Sequence, residues 1–355
     1  MLSIQKPQNV TLVETLSDGY RAVNRQPWLV LIPVVFNLYL WFGTQLSFAP
    51  LISDWQSMVQ ALQQAQNSSF GSGLSAEMQQ QSAQQFAQAS QIDMRQPLAI
   101  FNYIPTTIYV LGSLGLTGGG LGVPLVQALP LPLDSQRSTL QVQHFGGALL
   151  AFLLLNISVL VLSAAFLTMV AEAVRGERLS LVVWLQRLAR ATWSIFGYAS
   201  LLTGAAMLLG LPVLLIAGLL LALSPVLGAL VVLVLVIAWF WANIYLGFTL
   251  EAIVMSGIGP LRALHASFNI VRRNFWSTLM FLLLLLVIAV GTGVIWKAVT
   301  ASASTAGLII AIIGSAYIGC GLVAARMAFY RERLRRWQAA VGVTRGVSQV
   351  LPPQQ

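Results

Sequence analysis

The chain has 355 residues, of which 57% are hydrophobic and only 8% are charged, and its formal net charge at pH 7 is +9. Because an ordinary soluble domain has about a quarter of its residues charged, this composition excludes a water-soluble globular protein. The basic residues lie in short segments between apolar runs, so we expect no nucleic-acid partner. The single cysteine, Cys320, lies in an apolar run and excludes an intramolecular disulfide.

Six segments are apolar and long enough to cross a hydrocarbon core of about 30 Å as helices. The first contains Pro33 and Asn37, which a membrane helix tolerates when neighbouring helices satisfy the freed backbone groups. The sequence therefore predicts an all-α polytopic membrane protein. Its six transmembrane helices are predicted at residues 28–49, 145–170, 195–223, 226–250, 276–299 and 306–328.

The basic residues divide unevenly between the two sides that six spans define. Of the 19 Lys and Arg residues, 16 fall on the side of the termini, and only Arg95, Arg137 and Lys297 fall on the other. Because Lys and Arg are enriched in cytoplasmic segments, both termini are predicted to be cytoplasmic. We expect a plasma membrane of the bacterial inner-membrane type.

An R-x-x-W pattern precedes the first, third and fifth predicted spans, each time after an amphipathic stretch. The three copies are Arg25 to Trp28, Arg190 to Trp193 and Arg273 to Trp276. The apolar stripes are Val13, Leu16, Tyr20 and Val23, then Leu181, Trp184, Leu185 and Leu188, then Leu261, Leu264, Phe268 and Val271. We expect cytoplasmic interfacial helices in 1–27, 171–194 and 251–275, with Arg and Trp near the lipid headgroups. Each helix should bend at its Trp into the following span.

The regular position of these copies indicates a three-fold parallel repeat, in which each unit is an interfacial helix followed by a transmembrane hairpin. The second unit turns outside through Ser224-Pro225 and the third through Ala301 to Thr305. The first unit is extended by the long extracytoplasmic segment 50–144.

This extracytoplasmic segment begins with a stretch that holds 13 glutamines from Gln56 to Gln96. A helical stripe at Leu51, Trp55, Met58, Val59 and Leu62 predicts a small helical cap on the outer surface. The apolar part from Pro97 to Leu133 is interrupted by Pro105 and Gly118-Gly-Gly120, which favours an interfacial or re-entrant segment. Two additional short spans are the alternative, and they would leave the termini on the same side.

The predicted tail, 329–355, is basic, with Arg331, Arg333, Arg335 and Arg336 near its start. It is interpreted either as a contact with anionic lipid or as the stop signal of the last span.

Groups that carry catalysis or bind metals are scarce. The two histidines, His144 and His265, fall on opposite sides of the predicted membrane, and no nucleotide-binding, nucleophile-elbow or zinc-protease motif occurs. We therefore predict no catalytic, metal or cofactor-binding residues and no enzyme activity.

Acidic residues near span ends are interpreted as structural, with Glu172 and Glu251 as local partners of Arg190 and Arg273. Ionisable residues within a membrane also mark transport paths. The alternative hypothesis is a transport step in which Glu251 binds a proton or a cation, with Asn243 and Tyr245 along the path that leads to it.

The segment from Gly257 to Leu286 resembles the membrane domain of membrane-anchored glycerophosphodiester phosphodiesterases and related multi-span proteins. The matching residues are Gly259, Pro260, Ala263, Leu264, Ser267, Phe275 and Trp276. In those enzymes a soluble metal-dependent catalytic domain follows the membrane domain, whereas the segment after Tyr330 is too short to hold one. The resemblance therefore implies a helical membrane module and no hydrolase.

The function favoured by the sequence is a non-catalytic membrane module, either an accessory or scaffold subunit or a protein that organises lipid. Its expected partners are membrane lipids and other membrane protein subunits or a second copy of itself. The alternative is a transporter or channel for a small solute or ion, and a second alternative is an intramembrane lipid-modifying enzyme.

Overall fold

A computed structural model describes residues 11–47, 139–142, 144–177, 180–301 and 305–350, together with 50, 54, 57, 58 and 61. The predicted Gln-rich cap lies largely outside these residues, and the segment 97–133 lies wholly outside them. Within the described part, five helices are long and apolar enough to cross a membrane: Phe145–Arg175, Leu181–Leu221, Val226–Ser256, Phe275–Trp296 and Ala306–Ala339. A shorter apolar helix covers Pro27–Tyr39. The predicted all-α class is thereby confirmed.

The first element, α1 (Leu12–Arg25), begins at a capping box in which the Glu14 backbone N–H donates to Thr11 Oγ1 and the Thr11 N–H donates to the Glu14 carboxylate. A short 3₁₀ helix (Pro27–Val30) and α2 (Leu31–Phe42) follow. Two short strands, β1 (Gln45–Ser47) and β2 (Thr139–Gln141), then pair in parallel, with Leu46 opposite Leu140. The pair brings together the two ends of the intervening chain, residues 48–138.

The remaining helices follow in chain order. They are α3 (Phe145–Arg175), α4 (Leu181–Ala205), α5 (Leu211–Leu223), α6 (Pro225–Leu246), α7 (Thr249–Ser256), α8 (Pro260–Arg273), α9 (Phe275–Ala301) and α10 (Thr305–Val350). One π-helical turn, Ala206–Gly210, joins α4 to α5 just before Pro212. Because Pro212 has no N–H to donate and its ring crowds the preceding turn, a widened turn relieves the conflict without ending the helix.

The predicted bend occurs at the first and third R-x-x-W copies but not at the second. The helix breaks at Gln26, before Pro27, and at Asn274, whose side-chain amide donates to Ile270 O. By contrast, α4 runs without a break through Trp193, so the predicted bend there is wrong. The physical reason is local. The residues between Arg190 and Trp193 are Ala191 and Thr192, and neither is a proline or a capping residue that would end the helix here.

Helix α1 packs against the last helix, α10. Its apolar stripe predicts contact with lipid only. Thr15, Gly19, Ala22 and Val23 form its buried face. A Cβ atom on Gly19 would lie 2.3 Å from the backbone N of Ala325, so the two backbones approach as closely as glycine allows. The predicted stripe is therefore divided, because Val23 is fully buried whereas Val13 is exposed.

Helix α10 lies at the centre of the bundle and does not end where the span was predicted to end. It continues through the predicted tail, and Phe329, Tyr330 and Arg333 are buried. The Arg331 guanidinium donates to Val174 O, and Arg333 Nη2 donates to Ser277 Oγ at 2.6 Å. The start of the predicted tail is thus part of the packed core, because its arginines satisfy backbone and hydroxyl groups of neighbouring helices.

Helices α5 and α6 form a hairpin at the periphery. They turn at Ser224, and a Cβ atom on Gly228 would lie 2.4 Å from the side chain of Leu221. Large apolar side chains such as Leu215, Leu219 and Val226 are exposed along the hairpin. Such a surface suits contact with lipid chains, which are as apolar as leucine.

Candidate functional site: a buried ion pair beside an arginine-lined cavity

Most buried polar contacts between elements in the described residues lie at one end of the bundle. We call this region the basic end; it comprises the C-terminal end of α3, the N-terminal half of α4, α7, α8 and residues 317–337 of α10. Phe329 of this region stacks on Phe281 of α9, with the two rings parallel at 4.4 Å, and on Phe248, which precedes α7, at 5.5 Å. The basic end is therefore where the fold places charged side chains inside a closely packed interior.

Glu251 of α7 and Arg326 of α10 form a buried ion pair. Arg326 Nε donates to Glu251 Oε1 at 2.5 Å, and each side chain is only 5% exposed. The same guanidinium donates to Gly247 O and lies 5.3 Å from the centre of the Phe248 ring. Glu251 Oε2 is buried without a hydrogen-bond partner, so the pair fixes α7 against α10 while one carboxylate oxygen is left uncompensated.

The chain reaches this pair through a turn that α8 supports. Helix α6 ends at Leu246, and the hydroxyl of Ser267 then accepts from the Phe248 N–H at 3.1 Å and donates to Tyr245 O at 2.8 Å. Helix α7 stops at Gly257, whose φ of 64° lies in the left-handed region that glycine adopts without strain. This arrangement places Glu251 on the buried side of a helix of only eight residues.

The structure corrects the expected partners of the acidic residues. Glu251 pairs with Arg326 rather than with Arg273, whose guanidinium carbon instead lies 5.5 Å from the centre of the Trp337 ring. Glu172 lies near Arg175 and Arg187, and in the part of the chain that the structure describes no ion pair joins it to Arg190.

The residues named for a transport path do not share one environment. Glu251 is neutralised by Arg326, and the ring of Tyr245 lies 5.1 Å from that of Phe268 and 6.4 Å from that of Phe275. Asn243 is half-buried on α6. The carboxylate thus faces a cation, whereas Tyr245 belongs to an aromatic cluster.

The residues named for the lipid interface lie at the surface. Trp28 is 46% exposed, Trp193 is 73% exposed and Trp276 is 72% exposed. Arg25, Arg190 and Arg273 are also exposed. Each R-x-x-W copy therefore presents one aromatic ring and one guanidinium outward.

A cavity of about 250 Å³ opens where α3, α4 and α7 meet. Its polar lining consists of three arginines and three hydroxyl residues: Arg175, Arg187, Arg190, Thr168, Ser194 and Ser256. Apolar side chains such as Ile253 and Val254 complete the wall. The cavity was not predicted from the sequence, because its residues come from segments up to 89 positions apart in the chain, from Thr168 to Gly257.

Tyr20 lies outside the apolar spans, at the contact between α1 and α10. A Cβ atom on Gly321 would lie 2.3 Å from its ring, and Tyr317, 5.7 Å away between ring centres, donates to Asn24 Oδ1. Burial, together with nearby Tyr317 and Cys320, raises the pKa of Tyr20 to about 12. Tyr20 is therefore neutral at physiological pH and acts here as a packing residue.

Within the residues that the structure describes, no three His, Cys, Asp or Glu side chains lie close enough to hold a metal ion. Comparison with known families gives one match, to a family described as a domain of unknown function, DUF7847, over residues 10–333. The chain belongs to this family, since the match covers most of its length. No curated protein and no solved structure shows significant similarity to it.

Proposed function

We propose that this member of the DUF7847 family is a non-catalytic integral membrane module with six spans, which holds partner subunits or lipids at the cytoplasmic face of a bacterial-type plasma membrane. The observation that carries the proposal is the outward position of the three tryptophans and of the apolar residues that open the three stripes.

The sixth span in this proposal is the apolar helical segment from Pro27 to Phe42. At about 1.5 Å per residue it covers roughly 24 Å, somewhat less than the hydrocarbon core of about 30 Å. Local thinning of the bilayer accommodates such a mismatch at modest cost. Six spans place both termini, and with them the basic end, on the side that is rich in Lys and Arg.

The proposed contact surface follows from the exposed stripe residues. Val13, Leu181 and Leu261, which open the three stripes, are all exposed, and each stripe is followed by its surface arginine and tryptophan. Apolar side chains beside an indole and a guanidinium fit the depth of the lipid headgroups. The same surface fits a partner that is itself embedded at this depth.

The ion pair supports a structural rather than a transport role for Glu251. A carboxylate that carries protons or cations must change its charge or its partner, whereas Glu251 is held by a buried guanidinium. The resemblance to the membrane domain of membrane-anchored glycerophosphodiester phosphodiesterases supports the same class of module. The three-fold parallel repeat remains part of the proposal: three R-x-x-W copies support it, and two of them coincide with a helix break.

The orientation is tested with single cysteines in a Cys320→Ala background. Arg335→Cys, on the exposed side of α10, should react with a membrane-impermeant maleimide only after the cells are permeabilised. His144→Cys, at the opposite end of α3, should react in intact cells. The reverse labelling pattern would show that the proposed orientation is inverted.

The module itself is tested by extracting the protein in native lipid discs and weighing the intact assembly by mass spectrometry. We expect a stoichiometric subunit or an enriched lipid that is lost in the double variant Leu181→Ser and Leu261→Ser. Leu219→Ser on the α5–α6 hairpin is the matched control, because it removes an equally exposed leucine away from the stripes. A monomer with bulk lipid composition in every variant, combined with solute flux in proteoliposomes, would favour the transporter instead.

A further inference from the structure

The arginine-lined cavity contains hydrogen-bond donors that the fold itself does not use. Arg175 Nη1 donates to Met255 O at 3.1 Å, but Nη2 of the same guanidinium is buried and has no hydrogen-bond partner. Arg175 Nε lies 3.5 Å from Glu177 Oε2, and Arg187 Nη1 donates to that oxygen at 2.8 Å. Glu177 thus orients two guanidinium groups, while one edge of Arg175 stays available to the cavity.

Arg190 supplies the second available cation. Its side chain is exposed, and Nη1 lies 4.0 Å from where a Cβ atom on Gly257 would be placed. The left-handed backbone at Gly257 excludes most side chains there, so this side of the cavity remains open. Ser194, one helical turn after Arg190 on α4, also lines the cavity.

The charges of the region favour an anion. Three guanidinium groups (Arg175, Arg187 and Arg190) face two carboxylates (Glu172 and Glu177), which leaves a formal local charge of 3 − 2 = +1. The C-terminal ends of α3 and α7 add partial negative charge, which the bond from Arg175 to Met255 O offsets in part. The donors that remain unused are N–H groups of arginine. The planar guanidinium that carries them matches the oxygens of a phosphate group.

The size of the cavity limits what enters. Its volume of about 250 Å³ is below the roughly 300–1,000 Å³ typical of sites for drug-sized ligands. A phosphate group with a few attached atoms fits this space, and the apolar side chains of Ile253 and Val254 suit the carbon side of an ester. We propose that the cavity binds the phosphate of a small phosphate ester, supplied either by an anionic lipid headgroup or by a soluble phosphate.

The test uses the purified full-length chain in detergent and measures binding of two probes by native mass spectrometry and calorimetry. The first probe is dioleoyl phosphatidylglycerol and the second is inorganic phosphate. Saturable binding of the lipid without measurable binding of phosphate alone identifies a headgroup site. Saturable binding of phosphate alone identifies a soluble ligand.

Three variants separate the cavity from a diffuse basic surface. Arg190→Gln removes an available cation and should weaken binding about tenfold, the usual scale for one charge-assisted hydrogen bond. Ser194→Leu fills the cavity without changing charge and should weaken binding at least as much. Arg262→Gln, an equal charge change on the exposed face of α8, should alter affinity less than twofold.

Equal losses in Arg190→Gln and Arg262→Gln, with no loss in Ser194→Leu, would overturn the proposal in favour of nonspecific attraction. Absence of saturable binding of both probes to the unmodified chain would overturn it as well. Thermal unfolding of each variant confirms that it is folded, and Arg175 is left unchanged because it also holds Met255 O. Arg190 also belongs to the surface of the proposed module, so Ser194→Leu, which lies outside the stripes and the R-x-x-W copies, distinguishes failure of the cavity from failure of the module.

Discussion

The spans that contain α10 and the α5–α6 hairpin are similarly apolar, yet the basic end and the hairpin solve the problem of packing in opposite ways. At the basic end, aromatic rings stack within the protein and Glu251 and Arg326 are almost completely buried. On the hairpin, leucines such as Leu215 and Leu219 remain exposed. Hydropathy is therefore a poor guide to which membrane helices touch protein and which touch lipid.

The difference follows from small and polar residues. Helix α10 carries Gly321, Ala324 and Ala325 in its buried section, and these small residues let α1 approach closely. Because lipid chains compete equally well for leucine, close backbone packing and polar contacts determine helix association in membranes. The hairpin makes few such contacts with other helices, since Gly218 has no neighbour near the position of a Cβ atom and the nearest atoms to Gly228 belong to Leu221 of the hairpin itself.

The largest expected effect is at the buried ion pair. Glu251→Gln should lower the free energy of unfolding by about 3–5 kcal/mol, because the Arg326 charge would remain buried without its counterion. Denaturant titration of the purified protein in detergent measures this loss. The double variant Glu251→Met and Arg326→Met is the control and should recover most of the stability. A single variant as stable as the unmodified chain would show that water reaches Arg326.

A smaller effect is expected at the contact between α1 and α10. Gly19→Ala should cost about 1–3 kcal/mol, because the added methyl would meet the backbone of Ala325. The matched change on the hairpin, Gly218→Ala, should be neutral or slightly stabilising, since that position is open. Thermal unfolding in the same detergent compares the two variants. Equal melting temperatures would contradict the close packing of the first helix on the last.

The smallest effect is expected for a leucine on the hairpin. Leu219 is 63% exposed, so Leu219→Ala should change stability by no more than about 0.5 kcal/mol. Leu285→Ala, which removes the same side chain from a buried position on α9, should cost about 2–5 kcal/mol. Both are measured by the same denaturant titration. A costly Leu219→Ala would indicate that the hairpin is covered by protein, as in an oligomer.

Local signals predicted the helical class and several helix ends. The tight turn at Ser224-Pro225 and the breaks near Pro27 and Asn274 lie where proline, serine or asparagine occurs in the sequence. Proline acts through its own covalent geometry, so its effect is visible without knowledge of the fold. The uninterrupted α4 shows the limit of the R-x-x-W pattern, because neither Arg190 nor Trp193 breaks a helix.

The candidate site was predictable only in part. Glu251 was recognised as unusual, but its partner Arg326 lies 75 positions away, where several other arginines were equally available. The continuation of α10 past Tyr330 was missed because a cluster of arginines is typical of a span end. Arg331 and Arg333 instead bond to Val174 and Ser277, contacts that only the assembled bundle creates.

The parallel pairing of Gln45–Ser47 with Thr139–Gln141 holds the two ends of the intervening chain side by side. Neighbouring strands lie about 4.8 Å apart, so the chain leaves and re-enters the bundle at almost one point. A short glycine-serine bridge that runs back along the strand pair would close the gap without moving α2 or α3. Residues 48–138 are thus a natural place to excise or exchange a segment of chain while the helices keep their arrangement.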